Sequence, residues 1–391
     1  MSISANSLNV VHFITRMIVG GAQQNTLWTV LDQHRDYGDR VTLISGVDDG
    51  PEGSLLDQAR DAGIDVRVIP ELRRSINPLN DWKSYHRLLW LLRELKPDLV
   101  HTHSSKGGVI GRAAARKLRI PAVHTIHGAA FHYGQSAVLR SLYIRAERWA
   151  AKRTDHFITV CDAMTEQYLA QGIGSPDRYT TIYSGMEVEP FLQPARSRDE
   201  VRAELGIRPD EIVIGKIARL FPLKGHQHAI EAARRLIPDH PNLKFLFVGD
   251  GILREAYQRT IDEAGLAEHF IFTGLVPPER IPELIHATDI VLHTSEWEGL
   301  ARVLVQGLLA GKPVVSFDID GAKEVVLPGE TGFLADFPDI GELTRSLAAL
   351  IEDSSLREQM GKTGRAKFTE PFRHETMTRR IREVYRQVLK R

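Results

Sequence analysis

A glutamate followed by a glycine marks the strongest candidate site in this sequence. Glu298 and Gly299 lie in a turn between a short apolar strand and a helix predicted over about 300–310. The amides at a helix N-terminus lack partners and carry partial positive charge, so this position favours an anionic ligand. Leu300 opens the predicted helix, and Gln306 lies two turns into it. The layout is typical of a nucleotide site, with phosphate at the helix start, a sugar hydroxyl at the carboxylate and ribose beside the helix.

Two cations about eighty residues earlier strengthen this interpretation. Arg219 and Lys224 are five apart in a loop that joins a strand to a helix predicted to start near Gly225. Two cations at a helix N-terminus are typical of a pyrophosphate site. The two cations alone are a modest signal, because they could be ordinary loop charges. Together with Glu298 they indicate a sugar-nucleotide enzyme.

Small residues follow the first strand of the chain. Gly20, Gly21 and Ala22 would let the backbone approach a ligand at the carboxyl edge of a sheet. A tight turn with close packing explains the same residues equally well. Further along, His127 and Gly128 stand where a strand ends, which makes His127 the candidate in this half for contact with the reacting sugar.

Other histidines lie on neighbouring strands. His101 and His103 share one strand face, at a spacing that a metal ion could use, and His124 is on the next strand. No nearby carboxylate or cysteine completes a metal site, so we expect none. We interpret His103 as a hydrogen-bonded structural residue.

Composition indicates an ordinary globular protein with two domains. The chain has 391 residues, which is long for a single core. Its N-terminus has neither the cationic start nor the apolar centre of a signal peptide, and no run of about 18 apolar residues is present. Cys161 is the only cysteine, which excludes an internal disulfide and a cysteine-based zinc site. We therefore expect a cytoplasmic protein that binds no nucleic acid.

The charges are balanced overall but concentrated in one segment. The net charge is zero, whereas residues 101–153 contain ten Lys and Arg and a single acid, Glu147, which gives the segment a charge of +9. Such asymmetry indicates an anionic partner, although solvated helix faces explain it equally well.

A helix predicted near 136–152 lies inside this basic segment. We expect it to rest on anionic lipid at the inner face of a membrane, and the competing interpretation places Trp149 in the core. Its apolar stripe is Val138, Leu142, Ala146 and Trp149, and the basic residues off the stripe are Arg140, Arg148 and Lys152.

Strands and helices alternate in two successive runs. The second run starts with strand Ile212–Ile217, after a polar linker over 184–198. Alternation of this kind predicts parallel sheets with helices on both faces. We predict an α/β protein with one domain over 1–190, a second over 191–372, and an amphipathic helix over 373–391 that belongs to the first.

Several segments together resemble the family 4 glycosyltransferases. The resemblance covers nearly the whole chain and is most specific from 212 to 332. The matching pieces are G-G-A at 20–22, H-G at 127–128, Y-S-G-M-E at 183–187, R-L-F-P-L-K-G at 219–225, V-G-D-G at 248–251 and E-G-L-A-R-V-L-V-Q at 298–306.

The resemblance implies a fold and an activity. The fold is GT-B, in which two Rossmann-like domains face a cleft, with the donor on the second domain and the acceptor on the first. The activity is transfer of a sugar, with retention of configuration, from a UDP- or GDP-linked donor to an acceptor hydroxyl in cell-surface polysaccharide or glycolipid synthesis. A saccharide or a lipid-linked saccharide would be the acceptor, and no metal or other cofactor is required. Because no carboxylate is obviously placed as a covalent nucleophile, we expect attack on the face from which the diphosphate leaves.

The resemblance also implies residue roles. Arg219 and Lys224 would hold the diphosphate, Glu298 would touch the donor sugar, and His127 would approach that sugar from the first domain. These four are the implied catalytic residues. The implied donor-binding residues are Gly21, Arg219, Lys224, Gly251, Val276, Glu298, Gly299, Leu300 and Gln306.

Four positions depart from the family pattern. The second glutamate of the family, eight residues after the first, is Gln306 here, and an amide can donate as well as accept at a ribose. Asp320-Gly321 replaces a Gly-Gly pair, Ser184-Gly185 replaces Asn-Gly, and Ala301 stands where Gly or Pro is common. These departures bear on the identity of the donor.

Two other functions compete with the transferase. A sugar-nucleotide 2-epimerase of the same shape would need carboxylates flanking the sugar and no acceptor. A non-catalytic subunit that only binds donor is motivated by Gln306. A dehydrogenase fits less well, because the turn after the first strand reads I-V-G-G-A-Q and lacks the G-x-G-x-x-G pattern. The D-x-D at Asp318–Asp320 we interpret as a turn.

Overall fold

Two compact α/β units make up the chain. The computed structural model describes residues 7–48, 53–131 and 134–390. Residues 1–6, within the stretch where the sequence predicts no signal peptide, lie outside these ranges. One unit consists of Met1–Met186 with Pro371–Arg391, and the other of Glu187–Glu370.

The first unit is built on a seven-stranded parallel sheet. Its apolar strands are buried on both faces, as parallel strands covered by helices are. The order across the sheet is β3-β2-β1-β4-β5-β6-β7. The strands are β1 (Asn9–Ile14), β2 (Arg40–Ser45), β3 (Asp65–Val68), β4 (Leu99–His103), β5 (Ala122–Ile126), β6 (His156–Thr159) and β7 (Tyr179–Thr181). The helices between them are α1 (Gly21–Tyr37), α2 (Leu56–Asp61), α3 (Pro78–Leu95), α4 (Ser105–Leu118), α5 (Ala137–Ala151) and α6 (Asp162–Ala170).

The second unit contains a six-stranded parallel sheet of order β10-β9-β8-β11-β12-β13. Short helices α7 (Glu189–Leu192) and α8 (Arg198–Glu204) precede it. The strands are β8 (Ile212–Ile217), β9 (Leu243–Val248), β10 (Phe270–Gly274), β11 (Ile290–His293), β12 (Val314–Phe317) and β13 (Gly332–Ala335). The helices are α9 (His226–Leu236), α10 (Arg254–Glu263), α11 (Ile281–Ala287), α12 (Arg302–Leu309), α13 (Ile340–Glu352) and α14 (Ser354–Phe368).

The last helix, α15 (His374–Leu389), packs on α1 and therefore lies in the first unit. Buried polar contacts fix it there. The ring of His374 stacks on Trp28, and its Nδ1 lies 2.9 Å from Oδ2 of Asp32. Arg382 forms a buried ion pair with Asp39.

Both sheets reverse their strand order once, between β1 and β4 and between β8 and β11. In open α/β sheets ligands bind at the carboxyl ends of the strands at such a reversal. The fold therefore places candidate sites after β1 and β4 in the first unit and after β8 and β11 in the second. Within the described ranges, no helix is long and apolar enough to cross a lipid bilayer.

Candidate functional site

Two loops meet at the strand reversal of the second unit. Loop 218–225 follows β8 and carries Arg219 and Lys224, and loop 294–301 follows β11 and carries Glu298. The hydroxyl of Thr294 donates to the carbonyl of Gly225 at 2.6 Å, and the amide of Glu296 donates to the carbonyl of Leu223 at 2.8 Å. These bonds hold the two predicted halves of the donor site together.

Gly225 is required by this contact between the loops. Its φ of 65° lies in the left-handed region, and a Cβ there would stand 1.7 Å from the carbonyl oxygen of Thr294. No side chain fits at that distance, so glycine lets the two backbones touch. It is also the N-cap of α9, which begins at His226, next to the predicted start near Gly225.

Glu298 is held in its ionised form. Its carboxylate forms an ion pair with Lys224, and Nε2 of His293 lies 3.9 Å from it. Burial alone would raise the pKa of Glu298, but the nearby ring of His293 and the charge of Lys224 outweigh it and lower the pKa to about 2. At neutral pH this side chain can accept hydrogen bonds but cannot donate a proton.

Asp320 fixes the backbone around Glu298. Its carboxylate accepts from the amide of Glu298 at 2.8 Å, and the amide of Gly321 donates to the carbonyl of Gly299 at 3.0 Å. Because the backbone is held extended through Ala301 (φ −67°, ψ 114°), the helix begins at Arg302. The prediction of a helix from Leu300 was therefore wrong by two residues.

The later helix start moves Gln306 as well. It lies just over one turn into α12, not two turns as predicted. Its side chain is half-buried and makes no hydrogen bond within the described ranges. The amide is thus available to a ligand.

Two buried polar residues belong to the same part of the second unit. Lys216 is on β8 and His226 opens α9, and both are buried. Neither Nζ of Lys216 nor either ring nitrogen of His226 has a hydrogen-bond partner in the part of the chain that the structure describes. Burial, reinforced by Lys224 and opposed by Glu298, lowers the pKa of Lys216 to about 7. A buried amine without a partner is costly, and a nearby anion would remove that cost.

The first unit brings five histidines together at the carboxyl half of its sheet. His12 on β1 lies between Gln33 and His103. Its Nε2 is 3.0 Å from Oε1 of Gln33, and its Nδ1 is 3.0 Å from Nε2 of His103. Nδ1 of His103 lies 3.1 Å from Nε2 of His127. His101 and His124 are anchored separately, through Thr125 at 2.7 Å and Thr102 at 2.9 Å.

Burial keeps these rings neutral. It lowers the pKa of His12 to about 4 and that of His127 to about 3, and it lowers the pKa values of His101, His103 and His124 well below the ordinary value for histidine. Nitrogens of His12, His101 and His103 all lie within 4.8 Å of one another, which is a spacing that a metal ion could use. In this structure, however, the facing nitrogens of His12 and His103 bond to each other, and Nδ1 of His101 bonds to Tyr385.

Comparison with known proteins decides the family. The family model described as "Glycosyl transferases group 1" matches residues 197–367, and the one described as "Glycosyl transferase 4-like domain" matches 20–185. The chain is 31% identical to "Putative glycosyltransferase EpsD" of Bacillus subtilis (strain 168), over 77% of this chain and 80% of that protein. This chain is a family 4 glycosyltransferase. The resemblance seen in the sequence is confirmed.

Two further proteins resemble this glycosyltransferase. One is the "UDP-Gal:alpha-D-GlcNAc-diphosphoundecaprenol alpha-1,3-galactosyltransferase" of Escherichia coli, 29% identical over 85% of this chain and 86% of that protein. The other is Anabaena Alr3699/HepE, whose crystal structure in complex with UDP superposes with a TM-score of 0.84 at 23% identity, over 97% of this chain and all of that one. The two-unit α/β fold of this glycosyltransferase is therefore the predicted GT-B fold.

The remaining predicted donor residues of the glycosyltransferase fall in three places. Gly251 borders the loop of Arg219, since a Cβ on it would lie 2.4 Å from the carbonyl oxygen of Leu220. Val276 follows β10 and packs, half-buried, against an apolar cluster of the second unit. Gly21 opens α1 in the first unit. The loop contacts thus bring together Arg219, Lys224, Gly251, Glu298 and Gly299, whereas Gly21 and His127 belong to the first unit.

The sequence interpretation missed four residues of these sites. Lys216 had a visible signal, because a lysine within the apolar strand I-V-I-G-K-I must be buried and therefore needs a partner. His12 has the same kind of signal within N-V-V-H-F-I. His226 and His293 carry none, because a histidine beside a loop is unremarkable until the fold shows what it faces.

Proposed function

We propose that this glycosyltransferase moves a hexose from a UDP-linked donor to an acceptor hydroxyl with retention of anomeric configuration. The observation that carries the proposal is the joining of loops 218–225 and 294–301. It pairs Lys224 with Glu298 close to the amine of Lys216, which has no hydrogen-bond partner within the described ranges. The related proteins add support, because the Escherichia coli relative is named for a UDP-Gal donor and HepE was crystallised with UDP and with UDP-glucose.

In this proposal the diphosphate binds to Arg219 and Lys224. Arg219 is exposed, so its guanidinium is accessible to a ligand, and Lys224 offers hydrogens to a phosphate oxygen while it remains bound to Glu298. Fixed cations of this kind stabilise charge that develops on a leaving group, each by about 3 kcal/mol. They would neutralise the diphosphate without a metal ion, and we expect activity to survive chelators.

Glu298 would orient the transferred sugar. As a permanent carboxylate it accepts hydrogen bonds from sugar hydroxyls, and its low pKa excludes a role as general acid at neutral pH. In the reaction the bond from the anomeric carbon to the diphosphate oxygen breaks. A bond to the acceptor oxygen forms on the same face, and the acceptor proton passes to the departing phosphate. His127 would contact a hydroxyl of the bound sugar.

A thermal-shift series tests the donor. The melting temperature should rise with UDP-sugars and much less with GDP-, ADP- or dTDP-sugars, since at equal concentration a ligand stabilises the folded state more the more tightly it binds. Arg219→Ala and Lys224→Ala should lose most of the shift, whereas Lys362→Ala, which changes an exposed side chain of α14, should keep it. Equal shifts in all four proteins would remove the diphosphate assignment.

Two further variants separate sugar from nucleoside contacts. Glu298→Gln should reduce turnover more than nucleotide affinity, whereas Gln306→Ala should weaken free UDP itself. If UDP binds Gln306→Ala as tightly as the parent, the ribose role is wrong.

Donor turnover measured with and without acceptor distinguishes the three candidate functions. A transferase consumes the donor when acceptor is present, and an epimerase converts the donor without acceptor. A non-catalytic subunit converts the donor under neither condition.

The acceptor in this proposal is a lipid-linked saccharide at an anionic membrane surface. Helix α5 supports it, because the exposed fractions of Val138, Leu142 and Trp149 are 73%, 55% and 44%. Trp149 is thus a surface residue and not part of the core, and the guanidinium of Arg153 stands 3.6 Å from its ring centre. Exposed apolar side chains beside cations are typical of helices that lie on anionic membranes.

A further inference from the structure

Three of the five clustered histidines form a single hydrogen-bonded row. It runs from Gln33 through His12 and His103 to His127, with contacts of 3.0, 3.0 and 3.1 Å. Both rings of His12 and His103 are completely buried, and His127 is half-buried at the end of the row. Nδ1 of His127 has no hydrogen-bond partner within the described ranges.

The first link of the row gives it a direction. An amide oxygen only accepts hydrogen bonds, so Oε1 of Gln33 requires the hydrogen of His12 to be on Nε2. A neutral ring carries one hydrogen, which leaves Nδ1 of His12 to accept from Nε2–H of His103. By the same step, Nδ1 of His103 accepts from Nε2–H of His127. His127 therefore ends the row with a bare Nδ1.

The other side of Gln33 agrees with this orientation. Its amide nitrogen donates to the hydroxyl of Tyr385 at 3.2 Å, and that hydroxyl lies 2.5 Å from Nδ1 of His101. Tyr385 can then donate to His101, whose Nε2–H reaches Thr125. Each hydrogen bond of the network then has one donor and one acceptor, and Nδ1 of His127 is the one ring nitrogen of His12, His101, His103 and His127 that has no partner within the described ranges.

We propose that His12 and His103 are positioning residues that hold His127 in its Nε2–H tautomer, so that Nδ1 accepts a hydrogen bond from a sugar hydroxyl. The proposal rests on the proposed function, since it supplies the chemistry of the contact between His127 and the sugar. The substrate group at this point must be a hydrogen-bond donor, and an ether or a fluorine there would not bind. Each link also polarises the next, which strengthens acceptance at Nδ1.

The test reads the tautomers directly in the ligand-free full chain, labelled with ¹⁵N-histidine. Long-range ¹H–¹⁵N spectra at pH 7.5 distinguish protonated from bare ring nitrogens, and His127→Gln assigns the signals. We expect His12, His103 and His127 all to carry hydrogen on Nε2. A hydrogen on Nδ1 of His127, or a charged ring, would overturn the proposal. Binding of added Zn²⁺ by His12, His101 and His103 would overturn it too, because a metal site would then replace the row.

A variant pair separates positioning from folding. His12→Phe removes the acceptor of His103, so the row loses its direction and His127 should show both tautomers. His156→Phe is the control, because His156 is a buried strand histidine of the same sheet that bonds to Thr180 outside the row. We expect kcat with UDP-glucose to fall about tenfold in His12→Phe, the loss of one modest hydrogen bond, with affinity for UDP unchanged.

The outcomes distinguish this proposal from the proposed function. If the donor assignment is wrong, the parent will not turn over UDP-glucose, but the histidine tautomers will still be as expected. If the tautomer of His127 is the same in His12→Phe and in the parent, positioning by the row is disproved whatever the donor is.

Discussion

At the scale of single residues, Lys216 of the candidate donor site has a pKa well below that of an ordinary lysine. Burial lowers that pKa to about 7, so the unliganded protein holds Lys216 partly neutral at physiological pH. A bound diphosphate would favour the charged amine and raise the pKa. Binding should therefore take up a proton at a pH above 7, and affinity should decrease as the pH rises further, because protonating the free amine becomes harder.

Calorimetry can measure this proton. Titrating UDP-glucose into the protein at pH 7.5, in buffers of different ionisation enthalpy, should give an uptake of about half a proton or more for the parent and almost none for Lys216→Met. Lys312→Met is the matched control. Lys312 is also a lysine whose pKa is lowered by burial, to about 8. It lies beside Arg198 and Asp289 at the amino ends of the strands, opposite the candidate donor site. Equal uptake in the parent and in Lys216→Met would show that Lys216 is not near the diphosphate.

At the scale of elements, the junction between the two loops of the second unit depends on the missing side chain of Gly225. Replacing it by alanine adds two separate penalties, the left-handed backbone and the overlap with the carbonyl of Thr294. Gly265→Ala isolates the first penalty, since Gly265 has a similar φ of 68° with open space around it.

We expect Gly265→Ala to cost about 1–2 kcal/mol of unfolding free energy and to leave activity unchanged. Gly225→Ala should cost several kcal/mol in total and should weaken UDP binding, because the loops of Lys224 and Glu298 must separate. Denaturant unfolding and nucleotide titration of both variants check this. Similar losses in the two variants would mean that the loop contact contributes little.

Helix α5 provides the second test at this scale. Vesicle sedimentation should show binding that increases with anionic lipid and decreases with salt, since each basic residue at the surface contributes about 1 kcal/mol. Changing Arg140, Arg148 and Lys152 to Gln should weaken binding strongly.

The control variant removes the same number of positive charges from a different surface, in the second unit. Arg234, Arg235 and Arg259 are exposed on α9 and α10, and their change to Gln should have little effect. If the parent does not bind anionic vesicles at low salt, the proposal of a lipid-linked acceptor is wrong and a water-soluble acceptor takes its place. If both triple variants lose binding equally, net charge explains the attraction and α5 has no special role.

At the scale of the whole molecule, the buried histidines predict a loss of stability in acid. His12 has a pKa of about 4 when folded and about 6.5 when unfolded, so between these values the unfolded chain binds the extra proton. Stability contributed by neutral His12 is complete above pH 6.5 and decreases as the pH falls. From pH 7 to pH 5 the loss is about 2 kcal/mol for this residue alone, a sizeable part of the 5–15 kcal/mol typical of a folded domain.

Thermal unfolding at pH 7.5, 6 and 5 should show a midpoint that drops steeply below pH 6.5. The His12→Phe variant should show a shallower dependence, because one proton-excluding site is gone, whereas His34→Gln, on the exposed side of α1, should follow the parent. A midpoint that stays constant from pH 7.5 to pH 5 would contradict this account.

The sequence by itself determined the elements and the main candidates for chemistry. The predicted strand Ile212–Ile217 matches the structure to the residue, because a short apolar run between turn residues is a local signal. Lys224 and Glu298 could be selected from their positions at the ends of strands, since all carboxyl ends of a parallel sheet meet at one edge.

The tertiary structure decided what depends on contacts between distant segments. Helix α12 starts at Arg302 because Asp320, twenty-two residues after Glu298, binds the amide of Glu298 and holds the backbone from Glu298 to Ala301 extended. His12 and His103 are ninety-one residues apart and meet only because β1 pairs with β4. No local pattern records such pairings, since the free energy that fixes them comes from burial and hydrogen bonds formed only when the strands assemble.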